Sequence, residues 1–364
     1  MKAILLCMLF LFSSDPSLGQ REIGAETARL TEIYEVENAL EEKEREISGT
    51  LTLDGSYDAE AALHRLWRSV LDKLHDAGKA ELGFSWDLVM LAILCSLVGV
   101  LSPEQRIGKN AELAACCMAA LLLMGRAEGV LEEAEDALYR LSDYGKAAFP
   151  AYFLSVAACG ASVSASVKYA SVSFVSNLFM ELSHRYILPI IHAYLSVAIT
   201  CSIAENGLLR GAEKLLKWCA ASLMTLLTGG FCTYISLSGQ ISGSVDAAAV
   251  KAAKTVISTV LPVVGGILSD SAATMLSAAA VIKNTAGVFC LIAVCAICAG
   301  PFALLLVKML ALKAAAALSE LGSCERYARL LSSMGNGMGM LLGLVGSYGV
   351  MLFFSFLSGL RMAA

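Results

Sequence analysis

Three cysteines in a long apolar stretch have a spacing that is found in metal sites. Cys290, Cys295 and Cys298 follow the C-x4-C-x2-C pattern of some iron–sulfur proteins, and Cys324 is a fourth candidate ligand. The residues between them, LIAV and AI, are those of a membrane helix, whereas a cluster needs a loop that bends around it. We therefore predict that these cysteines pack as small hydrophobic side chains and bind no metal.

No other group of residues has the pattern of a catalytic centre. The sequence lacks the HExxH, GxSxG and GxxxxGK[S/T] motifs. Of its four histidines, His184 and His192 are eight residues apart and form no metal-binding pattern. No basic patch of the kind that binds nucleic acid is present. These observations predict a protein that is not an enzyme and that takes no cofactor, metal or nucleic acid.

The strongest candidate for a working element is an apolar stretch, 261–294, that is interrupted by polar and helix-breaking residues. The interrupting residues are Pro262, Gly265, Gly266, Asp270, Lys283 and Asn284. In hydrocarbon every backbone N–H and C=O group needs a partner, so a broken helix persists only inside protein or beside a watery cavity. Charged side chains at membrane depth are costly and indicate a function. The stretch therefore predicts a broken or re-entrant element that contributes to a polar path.

A purely structural interpretation of these residues stays open. Asp270 would be the N-cap of a helix starting at Ala272, because Ser-Asp-Ser precedes a helix-favouring run. Lys283 and Asn284 would then cap the end of that run at the membrane interface. The segment ELSHR at 181–185 is similarly either an ion cluster within the membrane or a short interfacial loop, and the loop is favoured.

Glycines recur every four residues near the C-terminus, at Gly335, Gly339 and Gly343. Glycines at this spacing give a helix a flat face against which a second backbone can pack closely. The pattern predicts helix packing, either within the chain or between copies in a homo-oligomer. Packing within the chain is slightly favoured.

The composition places these residues in a membrane protein. Hydrophobic residues make up 57% of the 364-residue chain and charged residues only 16%. Apolar runs of about 17–25 residues, the length needed to cross a bilayer, recur from Trp86 to the C-terminus. We predict an all-α, polytopic helical bundle in the lipid bilayer, with a broken or re-entrant element and with amphipathic helices at the membrane interface.

The N-terminal part of the chain differs from the rest. Residues 1–19 have the pattern of a signal peptide: Lys2, a ten-residue apolar core, and small residues before a cleavage point at Gly19. Residues 20–83 contain 15 acidic and 8 basic residues, a net charge of −7, and contain no cysteine. We predict an acidic, helical, translocated segment at 20–83 and a multi-span membrane domain at 84–364.

Within the membrane domain the hydropathy pattern predicts alternating spans and surface elements. Glu128–Lys146 is predicted as an interfacial amphipathic helix, and 170–203 as two short elements that meet at ELSHR and form a hairpin. Gln240–Lys254 is predicted as a loop or surface helix, and Ala311–Leu331 as a single amphipathic helix. The predicted spans are 86–101, 110–125, 149–167, 218–237, 286–307 and 335–357.

The segment KAAKTVISTVLPVVGGILSDSAATMLSAAAVIKNTAGV at 251–288 resembles the stage III sporulation protein AE family of endospore-forming bacteria. Its PVVGG-x-LSD block and the K-N-x-x-G that follows are the specific part of the likeness. The resemblance runs from about Trp67 to the C-terminus, and the acidic segment before Trp67 does not visibly contribute.

The resemblance implies a location, a task and partners. Family members lie in the mother-cell membrane around the engulfed forespore, together with other stage III sporulation A proteins and stage II sporulation protein Q. The complex is expected to join the two cells as a channel, or feeding tube, that sustains late forespore gene expression. The family supplies its permease-like, polytopic subunit, and a separate protein supplies the ATPase.

Two other classes of function stay open on the sequence. A self-contained secondary transporter also uses broken helices at mid-membrane, although the PVVGG-x-LSD block occurs once and no internal repeat is visible. A scaffold whose polar residues only hold helices together fits the small-residue stripes equally well.

Overall fold

The computed structural model describes residues 40–49, 57–101, 105–204, 207–260, 265–321 and 324–360. The described residues form helices and contain no strand, so the predicted all-α class is confirmed. The eight α-helices are α1 (Glu42–Ser48), α2 (Ala59–Leu101), α3 (Gln105–Ala158), α4 (Ser162–Leu182), α5 (Leu188–Ala204), α6 (Gly207–Val260), α7 (Gly265–Leu321) and α8 (Glu325–Leu360).

Five helical stretches among the described residues are long and apolar enough to cross a membrane. They are Asn110–Ala158, Ser162–Ala204, Gly207–Ile235, Ala280–Leu321 and Glu325–Leu360. The length and composition of these helices are those of a multi-pass membrane protein. Several of these helices are longer than a bilayer is thick: α3 has 54 residues, a length of roughly 81 Å against a hydrocarbon core of about 30 Å.

Helix α8 lies at the centre of the bundle. It contacts α3, α5, α6 and α7, and its buried residues occur all round its circumference. Buried tyrosines join it to its neighbours by hydrogen bonds, each worth about 0.5–1.5 kcal/mol net. These bonds run from Tyr152 to the Phe356 carbonyl, from Tyr194 to the Ser333 carbonyl and from Tyr327 to the Leu88 carbonyl, at 2.8, 3.0 and 2.8 Å.

The chain turns sharply after α3. It then continues as one uninterrupted helical segment over the residues that were predicted to form a hairpin. Gly160 closes the turn with a φ of +91°, a conformation that favours glycine. The hairpin predicted at 170–203 is wrong. Helices α4 and α5 are joined end to end by one π-helical turn, Ser183–Ile187, and Pro189 lies in the first turn of α5, where its missing N–H is tolerated.

Two of the predicted surface elements are parts of longer helices, and a third is divided between two helices. Glu128–Lys146 is the middle of α3, and Gln240–Lys254 lies within α6. The single amphipathic helix predicted at Ala311–Leu331 is wrong, because α7 ends at Leu321 and α8 begins at Glu325. Hydropathy detects local polarity, but it does not show whether neighbouring helices satisfy a charged segment and let the helix continue.

The N-terminal segment packs on the bundle where the structure describes it. Leu40, Ile47 and Tyr57 are buried in the same core as the membrane helices, and α1 contacts α7 and α2. Helix α2 runs without a break through the predicted boundary at 83/84. Residues 1–39 lie outside the described residues, so the signal peptide and the translocation of the segment after it stay predictions.

Candidate functional site

The middle of α3 carries a dense group of charges. Nine charged residues lie between Arg126 and Lys146, flanked on both sides by apolar turns of the same helix. Four of them pair with elements that are distant in sequence: Arg126 with Glu81 of α2, and Glu133, Glu135 and Arg140 with three further elements. We name Glu133, Glu135, Arg140 and their partners the charged girdle.

The first pair of the girdle joins α3 to a membrane span. Lys308 Nζ donates to Glu133 Oε2 at 2.7 Å. The Lys308 side chain is 15% exposed and the Glu133 side chain 44% exposed. Lys308 belongs to the candidate span Ala280–Leu321, so α3 brings a carboxylate to an apolar helix. A mostly buried cation on such a helix is stabilised by a paired carboxylate.

The second pair lies at the π-helical turn. His184 Nδ1 is 3.1 Å from Glu135 Oε1, and the imidazole stacks on Tyr139 with ring centroids 4.5 Å apart. A π-helical turn inserts one residue into a helix and often occurs at functional sites. Here it presents a titratable side chain to α3. The loop predicted for ELSHR is therefore wrong, because the segment is helical. His184 contacts Glu135 of α3, whereas Glu181 and Arg185 form an exposed pair at 3.4 Å.

The third pair fastens the N-terminal segment. Arg140 of α3 contacts Glu44 of α1 and lies 2.6 Å from Glu41. Glu44 also accepts a bond from the Glu41 backbone N–H at 3.2 Å, which completes a capping box at the start of α1. Burial raises the pKa of Glu44 above its ordinary value of 4.5, and the attraction of Arg140 opposes the rise without cancelling it.

The outer face of α3 carries acidic residues that are exposed. Glu128, Glu132 and Asp136 follow each other at four-residue spacing, so their side chains lie on one face of the helix. All three are exposed, and none takes part in an ion pair among the described residues. We name them the acidic stripe. Because exposed carboxylates at the depth of apolar spans are expensive against lipid, this face requires water or protein.

The element predicted to be broken lies at the junction of α6 and α7. Helix α6 ends at Val260 and α7 begins at Gly265, followed by Gly266. Pro262 lies outside the described residues. Asp270 stands five residues inside α7, so the interpretation of Asp270 as an N-cap is wrong. The backbone continues as a helix from Gly265 onward, and nothing in the described geometry assigns Asp270 a role.

Lys283 and Asn284 lie in the interior of α7, so the interpretation that they cap a helix end is wrong. Lys283 is 2% exposed, and its Nζ donates to the Leu360 carbonyl at 3.2 Å. Leu360 is the last residue of α8, where carbonyls lack helical partners and the helix dipole is negative. Lys283 therefore holds the C-terminal end of α8 against α7. Asn284 is exposed.

The glycine stripe faces helices of the same chain. A Cβ on Gly339 would lie 3.1 Å from Met309 Sδ, and one on Gly335 would lie 3.3 Å from Lys313 Cγ, both on α7. A Cβ on Gly343 would meet only a methyl carbon of Met224 on α6, at 4.0 Å. The first two glycines thus allow close approach of α7 and α8, whereas the third has room.

The cysteines of the C-x4-C-x2-C pattern lie on the continuous helix α7. At about 100° per residue, Cys290 and Cys295 point in directions about 140° apart. Among the described residues, no group of three or more histidine, cysteine, aspartate or glutamate side chains has an arrangement that could hold a metal ion. Cys298 Sγ packs where a Cβ on Gly349 would come within 2.7 Å.

The charged girdle escaped the sequence analysis because its partners are far apart along the chain. Glu133 and Lys308 are 175 residues apart, and Arg140 and Glu44 are 96 residues apart. The charged stretch at 128–146, between two apolar turns, was the feature of the sequence that could have indicated the girdle. Its pattern equally fits a helix on the membrane surface, since hydropathy alone does not show that charges are paired within the protein.

Comparison with known proteins identifies related sequences. The profile of a family described as Stage III sporulation protein AE matches residues 52–358. Stage III sporulation protein AE of Bacillus subtilis (strain 168) is 23% identical over 204 residues, which are 55% of this chain and 51% of that protein. The match thus spans about half the length of that relative. No solved structure matches.

Proposed function

This chain belongs to the stage III sporulation protein AE family, and we propose that it is the permease-like membrane subunit of a channel between mother cell and forespore. The channel, or feeding tube, sustains late forespore gene expression during endospore formation. Membership of the family gives the sporulation role, and the acidic stripe and charged girdle support the channel.

The single observation that carries the proposal is the exposure of the acidic stripe at the depth of apolar helices. The Glu133–Lys308 pair places this part of α3 beside the candidate span Ala280–Leu321. A helix that faces lipid on this side would place Glu128, Glu132 and Asp136 in hydrocarbon. A subunit that faces a water-filled path or another protein has no such cost.

The location and partners belong to the same proposal. The chain lies in the mother-cell membrane around the forespore, with the segment after the signal peptide on the translocated side. Its partners are the other stage III sporulation A proteins, a separate ATPase among them, and stage II sporulation protein Q. The charged girdle suits a subunit of an assembly, because it fixes α3 rigidly while leaving the outer acidic face available.

A self-contained secondary transporter is the second candidate, and one observation favours it. His184 and Glu135 lie 3.1 Å apart at a π-helical turn within a candidate span, and chains of carboxylate and histidine side chains within spans occur in the proton relays of transporters. Reconstitution of the purified chain in vesicles separates the two functions. A transporter moves solute alone and responds to a proton gradient, whereas a channel subunit does neither without its partners.

Deletion of the gene, scored in cells that have completed engulfment, tests the channel proposal. We expect loss of late forespore-specific transcription and small forespores, with vegetative growth unchanged. A complementing copy with Glu128→Leu, Glu132→Leu and Asp136→Leu should accumulate in the membrane and fail to restore transcription. The matched control, Asp72→Leu with Asp76→Leu on exposed positions of α2, should restore it. Normal spores after deletion would refute the proposal.

A further inference from the structure

A second charged stripe lies on α6. Arg210, Lys214 and Lys217 are exposed and, at spacings of four and three residues, share one face of the helix. We name them the basic stripe. The nearby Glu213 is half-buried and accepts a hydrogen bond from Ser333 Oγ at 2.6 Å, so this carboxylate points toward α8.

The acidic stripe has a definite depth along the bundle. Glu133, next to Glu132, bonds to Lys308 of α7. The following residue of α7, Met309, packs against Gly339 of α8. The acidic stripe is therefore centred close to the depth of Gly339.

The basic stripe lies at a similar depth. Glu213 of α6 meets Ser333, and Met224 meets Gly343, so α6 and α8 run in the same direction. Lys214, the middle residue of the basic stripe, follows Glu213 and so lies near the depth of residue 334 of α8. The centres of the two stripes are thus about five residues apart along α8, roughly 8 Å.

The two stripes face away from each other. Gly343 of α8 faces Met224 of α6, and Leu352 of α8 faces Gly145 of α3. Gly343 and Leu352 are nine residues apart, about two and a half turns, and so lie on opposite sides of α8. Helices α3 and α6 accordingly flank α8 on opposite sides, and no ion pair within one chain joins the stripes.

We propose that the basic stripe of one copy of this chain binds the acidic stripe of a second copy. The contact is head-to-tail: α6 of one subunit packs against α3 of the next, at similar depth and with the same orientation in the membrane. Because each subunit carries one stripe on each side, the contact repeats from subunit to subunit.

Three observations favour a second copy over lipid headgroups as the occupant of the basic stripe. The charges are opposite in sign, three against three, on helical faces of nearly equal spacing. The acidic stripe lies within the long apolar helix α3, where a cationic partner stabilises exposed carboxylates. Exposed apolar side chains flank both stripes, with Leu121 73% exposed beside one and Leu215 and Trp218 58% and 66% exposed beside the other.

The first test is zero-length cross-linking of the full chain in native membranes. A carbodiimide joins a carboxylate to a lysine amine only when the two touch. We expect dimers and larger species whose cross-linked peptides join Glu132 or Asp136 to Lys214 or Lys217. A monomer alone, under conditions in which the Glu133–Lys308 pair does cross-link, would overturn the proposal.

Charge reversal gives the second test. Variant A carries Glu128→Lys, Glu132→Lys and Asp136→Lys, and variant B carries Arg210→Glu, Lys214→Glu and Lys217→Glu. Like charges across an interface repel, so each variant alone should lose roughly tenfold or more of the oligomer. Co-expression of A with B should restore it, because each A–B contact again pairs opposite charges. The control, Asp72→Lys with Asp76→Lys, should assemble normally.

The contrary results are equally definite. The head-to-tail contact would be refuted if variant A or variant B assembled fully on its own. It would also be refuted if the A–B mixture did not recover the oligomer although both variants accumulate in the membrane. Lipid binding is tested with vesicles that contain about 30% phosphatidylglycerol. If wild type binds these vesicles but forms no oligomer, and variant B loses the binding, then the basic stripe binds lipid and the proposal is wrong. Because cross-linking is read without sporulation, its result stands apart from the deletion experiment.

Discussion

Replacing Glu133 by leucine removes the carboxylate that neutralises Lys308. The Lys308 side chain is only 15% exposed, so water does not readily replace the lost partner. Breaking a buried ion pair costs about 3–5 kcal/mol, and because Glu133 itself is half-exposed we expect a loss of free energy of unfolding somewhat below this range, about 2–3 kcal/mol. The opposite change, Lys308→Met, leaves a carboxylate that water can reach and should cost only about 1 kcal/mol.

A double-mutant cycle measures the pair directly. The double variant Glu133→Leu, Lys308→Met leaves no charge unpaired, so it should be more stable than Glu133→Leu alone, with a coupling energy of about 2 kcal/mol. The assay is unfolding of the detergent-solubilised chain by added sodium dodecyl sulfate, followed by circular dichroism. Each variant is compared with wild type at its transition midpoint.

The exposed pair Glu181–Arg185 supplies the control. These side chains are 65% and 68% exposed, so Glu181→Leu should change stability by no more than about 0.5 kcal/mol. A coupling energy for Glu133 and Lys308 no larger than this would refute the reasoning. It would mean that water solvates both charges of the girdle and that α3 is not fastened at this depth by the pair.

Three further predictions follow from other parts of the chain. Gly359→Ala places a Cβ 2.6 Å from a buried tyrosine ring and should cost about 1–3 kcal/mol in the same unfolding assay, whereas Gly343→Ala, which has room, should be nearly neutral. The raised pKa of Glu44 means that its contribution to stability is complete below about pH 4.5 and is lost as pH rises through the raised value. The thermal midpoint of wild type should therefore fall with rising pH relative to Glu44→Gln, and parallel curves would contradict this. The sequence-based proposal that the α6–α7 junction contributes to a polar path predicts that Gly265→Leu and Asp270→Leu each abolish sporulation without loss of the protein from the membrane. Normal spore counts for both would show that this helix junction is not a working part.

Much of the architecture was predictable from local sequence. Apolar runs long enough to cross a bilayer, with few charges inside them, require helices because the backbone has no other partner in hydrocarbon. The four-residue glycine spacing likewise predicts a close helix contact, since the period of the helix brings these positions to one face. These features depend on neighbouring residues only, so one sequence is enough to show them.

The partners of the charges were not predictable in this way. The same acidic segment of α3 fits a helix on the membrane surface or a helix inside an assembly, and its local pattern does not distinguish them. Lys283 was taken for an interfacial cap, although it is buried against the end of α8. In each case the deciding contact comes from a residue tens to hundreds of positions away.

The sequence by itself therefore determined that the chain is a helical, multi-pass membrane protein and pointed to its family. Only the tertiary structure decided which charges are paired, which face of α3 is left exposed, and that α4 and α5 continue through a π-helical turn. The physical reason is that hydropathy and helix period act over a few residues, whereas the cost of a charge at membrane depth is settled by whichever distant side chain the fold brings to it.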